Sequence, residues 1–460
     1  MRWAGFVGAI VASSWLAGCA SVHNNPVNEP AQGSVVDQLH LGFKEVADED
    51  DLLIGLSFSG GGTRAAAFSF GVLSEFDRIP VPRGRDKLLD RLDFISGVSG
   101  GSVTAAYYGL KKRAALSDFR ERFLLQNAEE GINTTLTLAT MGRAIGGGIN
   151  DSQGFTDWLD RNLFHGATFG QFREVGPPRV WINASDIYNR VPFVFSATAF
   201  TAICSDLTKF PLSNAVAASA AVPVAFAPIV VKAYPGACND PLPSWVSRAA
   251  HDRTASPMLR SFASAIERYR EGKVPYIKLL DGGLVDNYGL AGFTIARESS
   301  NTPYGPMTPQ QAVRLRRALM LVVDAKAGLS GDWVRTVEGP TGIDLVKAAI
   351  DTTIDASVGA SYTAFERTMG DWQNALIKWR CGLSAAERSR YGVPAGWNCR
   401  DLRFFVSRLG FDQLDPARAA ELGKVPTRFH LPPQQVDEVI DAGRDALRIN
   451  PVVQSFLKSL

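Results

Sequence analysis

A serine flanked by glycines, Ser99, lies in the stretch FISGVSGGSVTAAYYGL and is the first candidate for chemistry. Its pattern, G-x-S-x-G, follows an apolar run and precedes a segment of small residues with helical spacing. A turn of this kind is cramped, so small residues must flank the serine, and the N-terminus of the helix favours the anion formed on attack. The pattern also occurs in ordinary turns, but the flanking strand and helix favour a nucleophile.

A second glycine-rich turn, Ser59–Arg64, follows another apolar run and also opens a helical segment. Its three glycines, Gly60, Gly61 and Gly62, allow backbone N–H groups to converge on one point, as an oxyanion hole requires. The turn matches neither the phosphate-loop pattern GxxxxGKS/T nor the dinucleotide pattern GxGxxG. An oxyanion hole and a plain helix-entry turn both remain open from this stretch alone.

The base that would take the proton of Ser99 is not an obvious histidine. None of the five histidines follows a predicted strand at a turn, and each is expected to be solvated or packed: His23, His40, His165, His251 and His430. Asp281 is placed better, because it closes the apolar segment Pro275–Leu280 and strand ends present functional groups in α/β sheets. A carboxylate can act as the base if its geometry and environment suit. The sequence DGG alone is a common turn, and Asp286, five residues on, is not expected to act as the base.

The elements that must position these residues alternate between strand and helix. The apolar run Leu52–Ser59 leads through the glycine turn into a helical segment; the strand Leu92–Ser96 then leads through the serine turn into a helix ending at about Arg113. This order predicts parallel strands joined by right-handed crossovers, and therefore an α/β fold. Further strands are predicted at 179–187, 192–197, 275–280 and 318–325, helices at about 342–369 and 433–448, and an insertion at about 232–274.

The composition fits a packed globular protein, since 46% of the 460 residues are apolar and 20% are charged. A formal net charge of +2, with no local cluster of basic residues, argues against nucleic-acid binding. The sequence contains no CxxC motif and no nearby pair of histidines, so no metal site is predicted.

The first 18 residues have the features of a secretory signal: Arg2, the short apolar stretch Trp3–Leu16 and small residues before Cys19. The tetrapeptide LAGC resembles the lipobox of bacterial lipoproteins, in which the signal is cut before a cysteine that receives lipid. The alternative is an ordinary signal with a chance cysteine. With Ala20 after the cysteine, the resemblance implies an exported lipoprotein anchored at the outer membrane or on the periplasmic side. The polar composition of residues 19–50 predicts a flexible tether.

Four cysteines remain if Cys19 carries lipid, and an even number in an oxidising compartment allows two disulfides. Three pairings are possible. We expect near neighbours to pair, and four unpaired cysteines are the alternative. The expected pairs are Cys204 with Cys238 and Cys381 with Cys399.

The ordered set GGGTR, GVSGG and DGG, each at the end of a predicted strand, resembles the patatin-like phospholipase family. Two further blocks agree with the family, ASAAVPVAFAPI at 218–229 and DGGLVDNYGL at 281–290. The resemblance covers about residues 50–330 and implies a three-layer α/β/α fold with a mostly parallel central sheet. We therefore expect a catalytic domain over 51–330 and a mainly helical C-terminal extension, 331–460, packed on the same domain.

The family uses a Ser–Asp dyad without histidine or metal, so the resemblance implies Ser99 as nucleophile and Asp281 as general base. Many members have aspartate where Ser59 stands, a position outside the dyad. The implied reaction is hydrolysis of phospholipids or related acyl esters, with no cofactor and close to a membrane. An acyltransferase with the same dyad and a non-catalytic binding lipoprotein are the alternatives. The oxyanion hole would be formed by residues of the glycine turn: Gly60, Gly61, Gly62 and Arg64.

Overall fold

The computed structural model describes residues 24–35, 51–81, 86–130, 132, 143, 147–329 and 331–460. The predicted signal peptide, the predicted lipidation site Cys19 and residues 36–50 of the predicted tether lie outside these ranges. The described residues form a central, mostly parallel sheet flanked by helices, as the sequence predicts.

Eight strands in the described part of the chain form one sheet: β1 (Leu52–Phe58), β2 (Phe94–Val98), β3 (Arg179–Asp186), β4 (Val191–Val194), β5 (Ile229–Lys232), β6 (Tyr276–Asp281), β7 (Arg317–Asp324) and β8 (Arg403–Gly410). Their spatial order is β5-β6-β3-β2-β1-β7-β8, and β4 also pairs with β3. The five strands from β3 to β8 in this order run parallel, whereas β4 and β6 are antiparallel to β3, and β5 is antiparallel to β6.

The helices that the structure describes are α1 (Gly62–Phe76), α2 (Gly100–Lys111), α3 (Ala115–Phe119), α4 (Gln153–Leu159), α5 (Phe169–Val175), α6 (Ala197–Ala202), α7 (Leu212–Ser219), α8 (Ser244–His251), α9 (Pro257–Arg270), α10 (Gly283–Asp286), α11 (Ala291–Glu298), α12 (Pro309–Arg314), α13 (Gly342–Cys381), α14 (Ala385–Arg390), α15 (Pro416–Gly423), α16 (Pro433–Ile449) and α17 (Pro451–Leu457). Within the described ranges, none of them combines the length and the apolar character that crossing a bilayer requires.

The centre of the sheet is buried. All residues of β1 are buried, as are all but the first residue of β7. Continuous apolar runs of this kind are typical of parallel strands covered by helices on both faces. The ends of these central strands therefore have fixed positions, and the turns that follow them are held in place.

The C-terminal region completes the fold rather than lying outside it. The strand β8 pairs in parallel with β7 along its whole length, and α16 packs against α1. A Cβ atom on Gly71 would lie 2.1 Å from the carbonyl oxygen of Ile440, so this close approach of the two helices requires glycine. The prediction of a mainly helical extension missed β8, because its alternating burial is a weaker sequence signal than a continuous apolar run.

Residues 26–28 lie along the free edge of β5 and residues 30–35 contact Ser205, Cys204 and Asp240, so the prediction of a flexible tether is wrong for this part of the chain. The Val27 N–H donates to the carbonyl of Val230 at 3.0 Å. The side chain of Asn28 donates to the backbone of Lys232 at 2.9 Å and accepts from it at 2.7 Å. An edge strand leaves backbone groups unpaired, and this segment pairs with them.

The predicted insertion at 232–274 contains α8 and α9, which link the neighbouring strands β5 and β6. Leu259, Phe262 and Ile266 of α9 are buried, and this helix packs against α6 and β4. The described residues contain two disulfides, and both join the near neighbours that we expect to pair. They are Cys204–Cys238 and Cys381–Cys399, with Cα–Cα distances of 5.3 and 5.0 Å.

Candidate active site

Ser99 occupies the one-residue turn between β2 and α2. Its backbone has φ 50° and ψ −123°, a conformation that residues other than glycine rarely adopt. The residue is almost fully buried, with 3% of its surface exposed. Strain of this kind persists only where the surrounding structure enforces it, and it clusters at functional sites. The turn therefore has the geometry expected of a nucleophile held in one orientation.

Strand pairing along β3 brings Asp281 to Ser99. The last residue of β2, Val98, pairs with Asn183, and the last residue of β6, Asp281, pairs with Ala184. Both strands therefore end beside consecutive residues of β3. The Ser99 hydroxyl lies close enough to the Asp281 carboxylate to lower the pKa of that carboxyl. Because β6 is antiparallel to β3, Asp281 reaches the site from the direction opposite to the parallel strands.

Burial sets the proton affinity of Asp281. Desolvation raises the pKa of its carboxyl from 3.8 to about 6, and hydrogen bonds from the Gly283 N–H and the Ser99 hydroxyl oppose this rise. The Gly283 N–H lies 2.8 Å from Oδ1. The carboxylate form predominates at pH 7, but it binds a proton far more readily than an exposed aspartate would. Asp281 is therefore suited to accept and return a proton near neutral pH.

The glycine loop after β1 offers two free backbone N–H groups. The Gly60 N–H donates to the carbonyl of Asn287 at 3.2 Å. Among the described residues, no acceptor pairs with the N–H groups of Gly61 and Gly62, whose φ angles are 140° and 59°. Gly61 and Gly62 are thus the available oxyanion donors. The assignment of Gly60 to the oxyanion hole is wrong, because its N–H is already used.

Close contacts press the glycine loop against the serine turn. A Cβ atom on Gly100, the residue after Ser99, would lie 1.9 Å from the carbonyl oxygen of Gly62, so the approach requires glycine at position 100. The loop is also held from the C-terminal region, because the Thr63 N–H donates to the carbonyl of Arg428 at 2.7 Å. The position of the two free N–H groups relative to Ser99 therefore depends on contacts far apart in sequence.

Arg64 ties the glycine loop to the C-terminal region. Its guanidinium donates to the carbonyl oxygens of Ala325, at 2.8 Å, and Val425, and to the hydroxyl of Thr427 at 3.0 Å. Burial lowers the pKa of Arg64 to about 10, so the side chain stays protonated at neutral pH. Its Nε, Nη1 and Nη2 each donate one of these bonds, and the assignment of Arg64 to the oxyanion hole stays a prediction. Its role in the structure is to hold the loop.

Ser219 joins the two catalytic turns, and the sequence analysis did not single it out. Its hydroxyl donates to the Asn183 carbonyl at 2.6 Å and accepts the Ser99 N–H at 2.8 Å. Its own carbonyl accepts the Gly282 N–H at 3.0 Å, next to Asp281. The segment ASAAVPVAFAPI, quoted above for the family resemblance, contains this residue, but nothing in the sequence shows that its hydroxyl faces the site.

Other candidate groups lie away from the dyad. The described histidines are exposed, and none hydrogen-bonds to Ser99: His165, His251 and His430. Asp286 accepts the Ala291 N–H at 2.7 Å, at the start of α11, and therefore has a structural role. In the ranges that the structure describes, no group of three or more His, Cys, Asp or Glu residues could hold a metal ion.

An aromatic cavity of about 340 Å³ lies at the opposite end of β2 from the serine turn. Its volume falls within the range of small-molecule sites. None of the predicted catalytic residues lines it, so the cavity and the dyad are separate features. Its walls include the rings of Phe94, Phe169, Phe172, Trp181, Trp245 and Phe262.

Comparison with known proteins identifies one family and several solved structures of similar fold. The family model for patatin-like phospholipases matches residues 56–294. Human GIVD cytosolic phospholipase A2 is 13% identical with a TM-score of 0.40, and the alignment covers 93% of this chain and 63% of that one. VipD from Legionella pneumophila is 12% identical with a TM-score of 0.33, over 94% of this chain and 71% of that one. This chain thus spans less than two thirds of the human protein's length. No curated protein sequence matches it.

Proposed function

The chain belongs to the patatin-like phospholipase family, and from this premise we propose that it is a lipid acyl hydrolase in which Ser99 and Asp281 form the catalytic dyad. The observation that carries the proposal is that a buried carboxylate, Asp281, lies beside a serine held in a strained strand-to-helix turn, at the ends of two strands that pair with consecutive residues of β3. The family points to lipid esters, and the dyad geometry supports nucleophilic attack on them.

In the first half of the proposed reaction, the Asp281 carboxylate accepts the hydroxyl proton as Ser99 Oγ attacks the ester carbonyl carbon. The carbonyl oxygen becomes an anion that accepts hydrogen bonds from the Gly61 and Gly62 N–H groups. The tetrahedral intermediate then collapses. The bond to the alcohol breaks, the alcohol leaves with the proton from Asp281, and the acyl group stays on Ser99 as an ester.

In the second half, a water molecule gives a proton to Asp281 and attacks the acyl carbon. The same N–H groups stabilise the second tetrahedral intermediate. Its collapse releases the fatty acid and returns the proton to Ser99 Oγ, which restores the dyad. Phospholipids and lysophospholipids are the proposed substrates, and water is the proposed acceptor of the acyl group.

The test is ester hydrolysis by the purified protein beside two dyad variants, Ser99→Ala and Asp281→Asn. Loss of either partner is expected to lower kcat by about 10²–10⁴-fold, the usual cost of losing an acid–base partner. A fluorophosphonate probe should label wild-type protein at Ser99 and leave the Ser99→Ala variant unlabelled. Unchanged activity in either variant, or labelling at another serine, contradicts the dyad.

Two control variants match the chemistry of the dyad variants. Ser69 lies in α1 with a buried hydroxyl that has no hydrogen-bond partner among the described residues, so Ser69→Ala should keep full activity. Asp286→Asn changes another buried carboxyl outside the dyad and should keep the probe label. Product analysis with an added acceptor alcohol separates hydrolysis from acyl transfer by the same residues.

The LAGC sequence supports a related proposal, that Cys19 carries lipid and holds the protein on a membrane of the cell envelope. Such an anchor would keep the site close to insoluble esters. The Cys19→Ala variant should remain unprocessed or become freely soluble. Processing and membrane retention like those of wild type would contradict lipidation.

A further inference from the structure

Large apolar side chains are exposed mainly at the end of the sheet that carries the dyad. Leu329, Val334 and Val337 are 100%, 74% and 101% exposed, respectively. Six of the eleven exposed large apolar residues in the described ranges belong to the 329–346 segment: Leu329, Trp333, Val334, Val337, Leu345 and Val346. Three others form a hairpin patch: Ile187, Tyr188 and Tyr276. Clusters of this kind mark surfaces that bind a partner or a membrane.

The 329–346 segment leaves the sheet beside the glycine loop. Ala325 follows β7, its N–H donates to Ser59 Oγ at 3.1 Å, and its carbonyl accepts from Arg64 at 2.8 Å. Leu329 comes only four residues later. The exposed apolar segment therefore begins next to the loop that offers the oxyanion donors.

In the first turns of α13, an apolar stripe continues onto residues that the rest of the described protein does not bury. Apolar residues recur at four-residue spacing and become less buried toward the start of the helix. Val358 is buried, Ile354 and Ile350 are half-buried, and Val346 is exposed. An amphipathic helix normally buries such a stripe. The exposed part is therefore available to bind an apolar surface.

The hairpin patch lies on the other side of the dyad, between β3 and β4 and at the start of β6. Tyr188 is 68% exposed, and Ile187 and Tyr276 are exposed beside it. The ammonium groups of Lys232 and Lys278 lie 5.9 and 5.3 Å from the centre of the Tyr276 ring. Tyrosine rings beside lysine side chains are typical of the level where a protein meets lipid headgroups.

The N-terminal chain arrives at this same end of the sheet. Pro26 bridges to Val230 of β5, whose neighbour β6 ends at Asp281. Four residues lie between Cys19 and Asn24, so Cys19 can lie no more than about 18 Å from Asn24. A reach of this length is compatible with a lipid on Cys19 and the carboxyl end of the sheet meeting the same bilayer.

We propose that the carboxyl end of the sheet docks on a lipid bilayer, with the 329–346 segment and the hairpin patch in the interface on either side of Ser99. The proposal rests on the proposed function, because a lipid substrate explains why apolar surface flanks the dyad. The 329–346 segment has three acidic side chains and one basic side chain. Docking therefore depends on apolar insertion rather than on attraction to anionic lipid.

The first test compares hydrolysis of phosphatidylcholine vesicles with hydrolysis of a soluble short-chain ester. The double variant Leu345→Ser, Val346→Ser should lower vesicle hydrolysis by at least about tenfold, since 1.4 kcal/mol of lost binding is tenfold. It should leave soluble-ester hydrolysis within about twofold, because neither residue contacts the dyad. The matched control Val175→Ser, Ile449→Ser removes two exposed apolar side chains elsewhere and should change neither rate.

The second test does not depend on catalysis. In the Ser99→Ala background, quencher-labelled phosphatidylcholine vesicles should quench tryptophan fluorescence more strongly than in the same protein with Trp333→Phe. Zwitterionic vesicles should suffice, without anionic lipid. Equal quenching in the two proteins overturns the docking proposal, as does equal vesicle hydrolysis in wild type and the Leu345→Ser, Val346→Ser variant.

A protein partner is the competing occupant. If the same double variant breaks up an oligomer in light scattering and leaves vesicle hydrolysis unchanged, the surface binds a second copy and the proposal fails. Failure of the proposed function would instead abolish soluble-ester hydrolysis in wild type while leaving Trp333 quenching intact.

Discussion

The two ends of β2 differ in kind. At its first residue, Phe94 packs in an aromatic cluster, with ring centres 4.4 Å from Phe293, beside a cavity of about 340 Å³. At its other end, Ser99 lies in a strained, almost closed turn beside a buried carboxylate. The cavity is at one end and the proposed reactive groups are at the other. Parallel strands place their carboxyl ends, and the N-termini of the helices that follow, at a single edge, and the proposed dyad lies at that edge.

The strongest contrast should come from Asp281→Asn, which is expected to lower activity by about 10²–10⁴-fold and yet stabilise the fold. The folded-state pKa is about 6 against an ordinary value of 3.8, so the stability that protonation provides is present at low pH and lost as the pH rises through about 6. The neutral amide avoids this loss and should raise the free energy of unfolding at pH 7 by about 1–3 kcal/mol.

Denaturant unfolding of wild type and variant at pH 4 and pH 7 measures this effect. The stability difference should be larger at pH 7. A variant that is less stable than wild type at pH 7 would show that the buried charge of Asp281 does not lower the free energy of unfolding.

Gly62→Ala should reduce activity by about 10²-fold, the effect of losing one oxyanion donor. The new Cβ would lie 2.4 Å from the carbonyl oxygen of Arg428, and φ is 59°, so the loop must shift. The control is Gly154→Ala in α4, where no atom lies within 4 Å of the added Cβ. Both variants are assayed on a soluble ester, with circular dichroism to compare their folds. Equal activities would argue against the glycine loop as the oxyanion hole.

The pH profile of wild type should show a tenfold loss per pH unit on its acid side. The base must be deprotonated, and the pKa of Asp281 is about 6, so kcat/KM at pH 5 is expected to be about a tenth of its plateau. Soluble-ester kinetics from pH 4.5 to 8 provide the measurement. A profile that stays flat to pH 4.5 would mean that burial does not tune the base as described.

The smallest effect on activity is expected at the aromatic end. Phe172→Leu removes part of the cavity wall and an edge-to-face contact with Phe169 at 5.5 Å, and should lower the free energy of unfolding by about 1–2 kcal/mol. Hydrolysis of a soluble ester should stay within about twofold of wild type. A loss of activity of tenfold or more would show that the aromatic end of β2 also affects catalysis, and would contradict the difference between the two ends.

Sequence patterns predict the strand ends at which Ser99 and Asp281 lie more accurately than they predict the surroundings of these residues. The structure places both residues at strand ends that pair with consecutive residues of β3. The glycine turn was located correctly, but Gly60 uses its N–H on Asn287 and the Arg64 side chain is bound to carbonyls. Such partners lie more than 200 residues away along the chain, and no local pattern specifies them.

Similar reasons explain what was missed elsewhere in the chain. The strand β8 alternates in burial, so its sequence resembles a partly exposed segment. Residues 24–35 have a composition typical of a linker, yet residues 26–28 pair with the free edge of β5, which only the assembled sheet presents. The hydroxyl of Ser219 acts between two turns that meet only in the folded chain.

The sequence by itself determined where strands end, where helices begin and which small residues flank Ser99, because these depend on neighbours within a few positions. It also placed a carboxylate, Asp281, at a strand end without specifying its partner. Only the tertiary structure decided that β2 and β6 end beside consecutive residues of β3, that Gly61 and Gly62 keep free N–H groups, and that burial raises the pKa of Asp281 to about 6. Desolvation and hydrogen-bond competition depend on what surrounds a group in space, and in this chain those surroundings come from segments far apart in sequence.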